Sequence, residues 1–318
     1  MKVSDLLASR RESWRELEML CSRLEGRGVW SDAASVGRFS ALYRAACADL
    51  ALADAYQLPP ATIEYLHRVV GRAHNQLYRS RRLRFGTWAR RLLVDVPRQL
   101  YRDGALRLAF FLFWGMFLLS MWLAYTVPNF AQQLLDEDTM QQLNERFSTA
   151  PRSQGTPMQG AMAGFYIFNN IGIGLRCFAF GLAFGVAGLF IMLFNASFLG
   201  AVFGYMASTP QRGNFLEFVT AHGPFELTAI VFSAAAGMRL GFALVDTGGL
   251  TRSASLRRAA QETMPTMGAA MILFALAALI EAFLSPSDAP YGIKAAAAVV
   301  SAALLAFYVL VLGRPWRA

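Results

Sequence analysis

The chain lacks the signatures of the common enzyme classes. It has no Walker loop, no H-E-x-x-H, no Gly-x-Ser-x-Gly and no dinucleotide fingerprint on a strand-turn-helix, so nucleotide hydrolysis, zincin proteolysis, serine-hydrolase chemistry and Rossmann redox chemistry have no footing. Cysteine is scarce. Cys21, Cys47 and Cys177 lie far apart with no C-x-x-C or Cys/His ligand spacing, which argues against a disulfide framework or a cysteine zinc site and reads them as buried thiols. The chain has 3 histidines. His67 and His74, seven apart in a polar stretch, read as one helix surface, which leaves His222 too isolated for an intramembrane metalloprotease. No catalytic residue, cofactor or metal is therefore expected. The first twenty residues have no apolar core of signal-peptide length before the charges begin, so the first third is expected to stay in the cytoplasm.

Charged residues are also few, at 16% against 55% hydrophobic, and mean hydropathy is +0.36, too oily for an ordinary soluble protein of 318 residues. The charge is uneven, because most of the 30 Lys+Arg precede Arg107 and nearly all are arginine. Such asymmetry points to a membrane face or an acidic partner. Nucleic acid is not expected, because the densest basic run abuts a hydrophobic span.

The fold class expected is all-α, a polytopic membrane helix bundle of about six spans with a cytoplasmic N-terminal helical domain. Residues 1–80 read as that small bundle. Its stripes are Leu6, Leu7, Trp14, Leu17, Leu20, Cys21 and Leu24, then Phe39, Leu42, Tyr43, Ala46, Leu50 and Ala53, then Ile63, Leu66, Val70, Ala73 and Leu77. Residues 81–105 form a basic amphipathic segment suited to the inner-leaflet interface, with Arg81, Arg82, Arg84, Trp88, Arg90 and Arg91 as candidate contacts to lipid, anionic headgroups included. A solvated basic linker packed on the bundle is the alternative. Residues 106–318 form the transmembrane domain, with spans expected near 106–127, 171–194, 197–208, 224–246, 264–284 and 293–312 and an outer loop over 128–160 that carries one or two short amphipathic helices. The 197–208 segment is short enough to be re-entrant. Loop charge places both termini in the cytoplasm.

Ionisable groups in hydrocarbon cost about 2.5–3.5 kcal/mol each on insertion scales, so those within the spans need an explanation. The candidates are Asn169, Asn170, Arg176, Asn195, His222, Glu226, Arg239 and Glu281, with Asp246 at a span's end. His222 and Glu226 are one helical turn apart, and Arg176 falls at a matching depth. Together with Asn169 and Asn170 they are expected to gather toward the outer side, either as an ion, substrate or protonatable site or as a network that fixes helix register. Arg239, about 20 Å further along the helix, is too distant to pair with Glu226. The small residues Gly181, Gly185, Gly188, Gly237 and Gly241 fit close packing within the chain or pairing with a second copy as a homo-oligomer.

The runs AHGPFELTAIVFSAAAGMRLG, FNNIGIGL, FNASFLG and LIEAFLSP resemble the stage II sporulation protein M family, and the similarity covers most of the chain. His222-Gly223 followed by Glu226, and Gly237 with Arg239-Leu240-Gly241, carry it best, and Asn169, Asn170, Asn195 and Glu281 fall where the family places polar residues. Many members have proline before the histidine where this chain has Ala221, a departure that suggests the branch outside endospore formers. The resemblance implies a membrane protein without established enzyme activity. In spore formers the family member acts with a peptidoglycan hydrolase and another membrane protein during engulfment, and relatives elsewhere are often encoded near a MoxR-type ATPase and RDD-domain proteins. The expected partners are therefore lipid and other membrane or envelope proteins, and the expected role is a scaffold. A channel or transporter lined by the intramembrane Arg, Glu and His residues is the alternative.

Overall fold

The computed structural model describes residues 9–27, 33–77, 85–127, 129–150 and 156–314, which are helical throughout their regular structure with no strand among them. Arg81, Arg82, Arg84, Leu6 and Leu7 lie outside the described residues. The chain divides into two compact units, 1–84 and 85–318.

The N-terminal unit packs three helices, α1 (Arg11–Arg27), α2 (Ala33–Ala55) and α3 (Pro60–Leu77). Its core takes Trp14, Leu17 and Cys21 from α1, Phe39, Leu42, Ala46 and Ala53 from α2, and Leu66, Val69 and Ala73 from α3, the three-and-four spacing of helices that bury one stripe. One buried charge is matched there: Asp49, with no exposed surface, accepts from Arg10 Nη1 at 2.6 Å and Trp14 Nε1 at 2.8 Å. On the rim Arg38 binds Glu16 through two nitrogens, and Arg72 spans Glu18 and Glu25, tying α1 to both neighbours. Each arginine holds its partner, Glu16 or Glu25, below the usual carboxylate range by hydrogen bonding.

The second unit opens with α4 (Phe85–Arg90), a π segment (Arg91–Asp95) and α5 (Val96–Arg102). Arg90 and Arg91 are exposed, and the half-exposed Trp88 ring lies over Gly268. Val96, Pro97 and Leu100 are buried, and Tyr308 donates its hydroxyl to the Leu92 carbonyl, so the segment is fastened to the bundle along one side. Asp103 is extended and its carboxylate accepts from Ala105 N, the N-cap of the next helix.

Six long helices follow: α6 (Gly104–Thr126), α9 (Thr156–Phe180), α10 (Val186–Ser208), α12 (Gly223–Phe242), α13 (Arg252–Leu279, continued as a π segment to Leu284) and α14 (Tyr291–Ala306, continued to Val311). Five are long and apolar enough to cross a membrane; α9 is long enough but is diluted by Asn169, Asn170 and Arg176. Close approaches fix their directions. Gly200 and Gly204 of α10 meet the carbonyls of Phe117 and Met121 in that order, and Gly174 of α9 and Gly181 just past its end meet Ser233 and Gly237 in that order, so each of these pairs runs parallel. Consecutive helices therefore alternate, and the chain is a multi-pass membrane bundle with α12 at its centre. Helix α12 touches all five others and is buried almost continuously from Leu227 to Gly241.

That centre is possible because α12 is made of small residues. A Cβ on Gly241 would stand 1.9 Å from the Gly181 carbonyl oxygen, and one on Gly237 2.8 Å from that of Cys177, so backbones pack directly on one another. The small-residue faces are thus used within the chain.

The structure corrects two expected spans. Residues 171–194 are not one helix and 197–208 is not a separate or re-entrant span. The break falls at 181–185, where Phe184 (φ 56°) and Gly185 (φ 81°) take left-handed backbone, and α10 then runs unbroken to Ser208. Asn195 does not interrupt it, because its side chain donates to the Ile191 carbonyl at 2.7 Å, and Ser197 donates likewise to Leu193 at 2.9 Å. Helix α13 also begins at Arg252 rather than near 264, capped by Thr251, and reaches 33 residues with its π extension. At about 1.5 Å per residue it is longer than a bilayer is thick.

The segments between α6 and α9 and between α10 and α12 fold onto one end of the bundle as α7 (Phe130–Leu134), α8 (Glu137–Arg146) and α11 (Arg212–Val219). Phe147, Phe203, Phe215 and Phe218 stack edge-on there beside Leu135, Tyr166 and Met206, forming a second apolar core.

Two outcomes are expected. Gly241→Ala should destabilise the purified chain by about 1–3 kcal/mol, whereas Gly164→Ala, where a Cβ meets nothing within 4 Å, should be neutral or stabilising, as thermal melting in detergent would read. A thiol reagent should modify half-buried Cys47 and leave Cys21 unreacted until the N-terminal unit unfolds, because burial pushes the Cys21 thiol up to about 11.

Candidate functional site

Helix α12 begins with His222 as N-cap and Pro224 in its first turn. One turn on, Glu226 brings a carboxylate oxygen 3.7 Å from His222 Nε2. The third member arrives from the antiparallel neighbour: in the π segment Ile280–Leu284, Glu281 faces the same point. One ligand atom each from His222, Glu226 and Glu281 lie within 4.8 Å of one another. Ser285, four residues after Glu281, sets the histidine ring through a 3.1 Å contact between its hydroxyl and Nδ1, and Phe218 meets that ring edge-on at 5.8 Å.

The surroundings are polar and built. Asn170 of α9 is 3% exposed; its oxygen accepts from Asn169 at 3.2 Å, while its nitrogen is aimed at Glu281 and is buried without a hydrogen-bond partner. Arg146 donates to the Tyr166 hydroxyl at 3.3 Å and lies over Phe218 at 5.1 Å, so it faces the cluster without pairing to it. Among the described residues neither Glu226 nor Glu281 is paired with a Lys or Arg. A nitrogen and two carboxylates converging at a partly buried point are the donor set of a cation site or a proton-holding site.

A second ion pair abuts the first. Lys294, near the start of α14, has no exposed surface; its ammonium donates to Glu217 of α11 and to the Ser285 carbonyl, both at 2.9 Å. Ser285 thus joins the two groups, and α9, α11, α12, α13 and α14 meet through one polar chain.

Of the expected residues, Asn169, Asn170, His222, Glu226 and Glu281 come together. Arg176 does not. Six residues turn it about 120° round α9 from Asn170, and it is exposed, donating back to the Gly172 carbonyl at 3.2 Å. Asn195 is bonded within α10. Arg239 sits at the opposite end of α12, as its distance from Glu226 implies, with Asp103 at 3.3 Å and Glu262 at 3.6 Å, beside a cavity of about 700 Å3 that Asp246 and Arg258 also line. The reading from sequence missed Arg146, Tyr166, Ser285 and the Lys294 pair. Lys294 alone left a visible signal, being a single lysine in an apolar run.

Comparison with known proteins gives two matches. The family model described as Stage II sporulation protein M covers residues 109–286, more than half of the chain, and one described as a domain of unknown function (DUF8413) covers residues 4–79. The resemblance noted above is therefore confined to the helix bundle, and the N-terminal unit answers to a different model. No curated protein and no solved structure matches.

The Lys294 pair makes an asymmetric prediction. Glu217→Ala strands a fully buried ammonium and should cost about 3 kcal/mol, whereas Lys294→Met leaves a carboxylate that is 32% exposed and should cost less. Melting of the two variants in the same detergent checks the order.

Proposed function

The chain belongs to the Stage II sporulation protein M family, which is not a known enzyme family, and on that premise we propose that it is a non-enzymatic scaffold of the bacterial inner membrane, organising cell-envelope machinery. The observation that carries this reading is the sealed centre of the bundle. Between Glu226 and Arg239 every residue of α12 from Leu227 to Met238 is buried except Thr228, and Gly237 lies on the backbone of Cys177 and Phe178. A conduit would need polar, hydrated side chains along that length; here the polar clusters stand at the two ends, and between them Thr228 and the fully buried Ser233 are the polar side chains of α12 among packed alanine, glycine and apolar ones.

Charge supports an orientation. The end that carries Arg90, Arg91, Arg98, Arg102, Arg252, Arg257, Arg258 and Arg314 is the cytoplasmic one under the positive-inside rule, and the end with the aromatic cap and His222 faces outward. Both termini are then cytoplasmic. The arginines of α4 and α5 lie at the inner headgroups, and the N-terminal unit and the outer cap remain as surfaces for membrane or envelope proteins. The reading includes no nucleic-acid partner and requires no second copy of the chain.

The test is a pair of measurements on the full chain. Proteoliposomes should show proton and cation flux no faster than empty vesicles, and affinity purification from native membranes should recover envelope proteins. A flux that Glu226→Gln abolishes would replace the scaffold with a transporter, and recovery of lipid and the chain alone would remove the scaffold's main support.

A further inference from the structure

We propose that His222, Glu226 and Glu281 bind a first-row divalent cation, zinc by the character of the ligands, with Asn170 holding a water in the fourth position. The inference goes beyond the scaffold reading and does not depend on it.

The geometry is near that of a bound site. Four ligands about 2.0–2.1 Å from zinc in a tetrahedron stand about 3.3 Å from one another. The His222 Nε2 to Glu226 oxygen distance is 3.7 Å, and no two of the three ligand atoms are more than 4.8 Å apart, so a contraction of about an ångström would bring them to that spacing. The ligands come from rigid positions, His222 and Glu226 one turn apart on α12 and Glu281 on the adjoining end of α13. Ser285 Oγ beside Nδ1 turns Nε2 toward the carboxylates, the arrangement by which an outer partner sets the tautomer of a metal-binding imidazole.

Charge gives a second reason. Two carboxylates, Glu226 at 18% exposure and the half-buried Glu281, face each other with no Lys or Arg in ion-pair contact among the described residues, while Arg146 bonds Tyr166 and lies over two phenyl rings. A dication would neutralise them where a single proton would not.

Asn170 is the independent observation. Its Nδ2 is buried, unpartnered and directed at Glu281. A buried amide donor left without an acceptor is costly, and a metal-bound water beside Glu281 supplies the acceptor. A cation there would clamp α12 to α13 and, through that water, to α9, at the end of the bundle where the aromatic cap is seated.

The experiment uses the full chain, purified in detergent through a tag free of histidine and without chelators. Elemental analysis should find about one zinc per chain, and after stripping with EDTA a titration with Zn2+ against a competing chelator should restore it and raise the melting temperature. His222→Ala, Glu226→Gln and Glu281→Gln should each lose the thermal shift, and Asn170→Ala should weaken binding about 10- to 100-fold. Absence of zinc as purified together with no binding by the stripped chain overturns the proposal, as does unchanged affinity in Glu226→Gln and Glu281→Gln. Should those variants fail to fold, X-ray absorption on the wild-type chain decides: a nitrogen and oxygen shell with one imidazole supports the site, and a sulfur shell overturns it.

Discussion

The structure depends on the direct contact of helix backbones around α12. A helix that touches five neighbours has no room for long side chains, and the run Ser233-Ala234-Ala235-Ala236-Gly237 with Gly241 removes them. In a bilayer, where lipid offers apolar side chains as good an environment as the protein does, such close approach lets dispersion and short interhelical contacts hold the bundle. The partner glycines lie where α12 needs them: Gly174 on α9, and Gly181 and Gly185 in the turn. The same device recurs on the far side, where Gly200 and Gly204 admit the backbone of α6 and Ser120 donates to the Ser197 carbonyl at 2.6 Å.

A sealed centre dictates where the ionisable residues can be. Packing at that density leaves no volume to hydrate a charge at mid-depth, so charges collect at helix ends, where several helices contribute partners. Glu226, Glu281, His222, Lys294 and Glu217 meet at one end, and Asp103, Arg239 and Glu262 at the other. The two ends differ in kind. At the Arg239 end cation and anion are paired and line an open cavity. At the His222 end two carboxylates meet beneath a cap of aromatic rings, with no Lys or Arg paired to them among the described residues.

Much of this was legible in the sequence, because hydropathy reports length and burial directly. The run 106–127 and the last two apolar runs correspond to α6, to the later part of α13 and to α14, and the three-and-four spacing of Trp14, Leu17 and Cys21 is that of α1. The turn at 181–185 was not legible. Glycine there serves both as a close contact and as a chain reversal, and Asn195 looked the better break because its polarity is visible whereas its bond to its own helix is not. The candidate site was legible in part. The spacing of His222 and Glu226 puts them on one face of any helix, but depth along an apolar run does not specify which way a residue points, so Arg176 was grouped with residues it does not face. Glu281 and Asn170 join only because α9 and α13 pack on the same end of α12, a tertiary fact with no local signature.

The placement of the π segment in α13 connects these points. Glu281 lies within it and Ser285 caps it, and residues four apart share one helix face, so both stand toward α12. One then reaches Glu226 while the other reaches both His222 and Lys294. Irregular turns of this type are frequent at functional positions, and this one joins the two groups whose charges the fold has to reconcile. The His222 end of the bundle is therefore organised around the polar chain from Asn170 to Glu217, and the aromatic cap of α8 and α11 closes over it. The groups able to hold a proton or a cation are assembled there, at the end of α12 opposite Arg239.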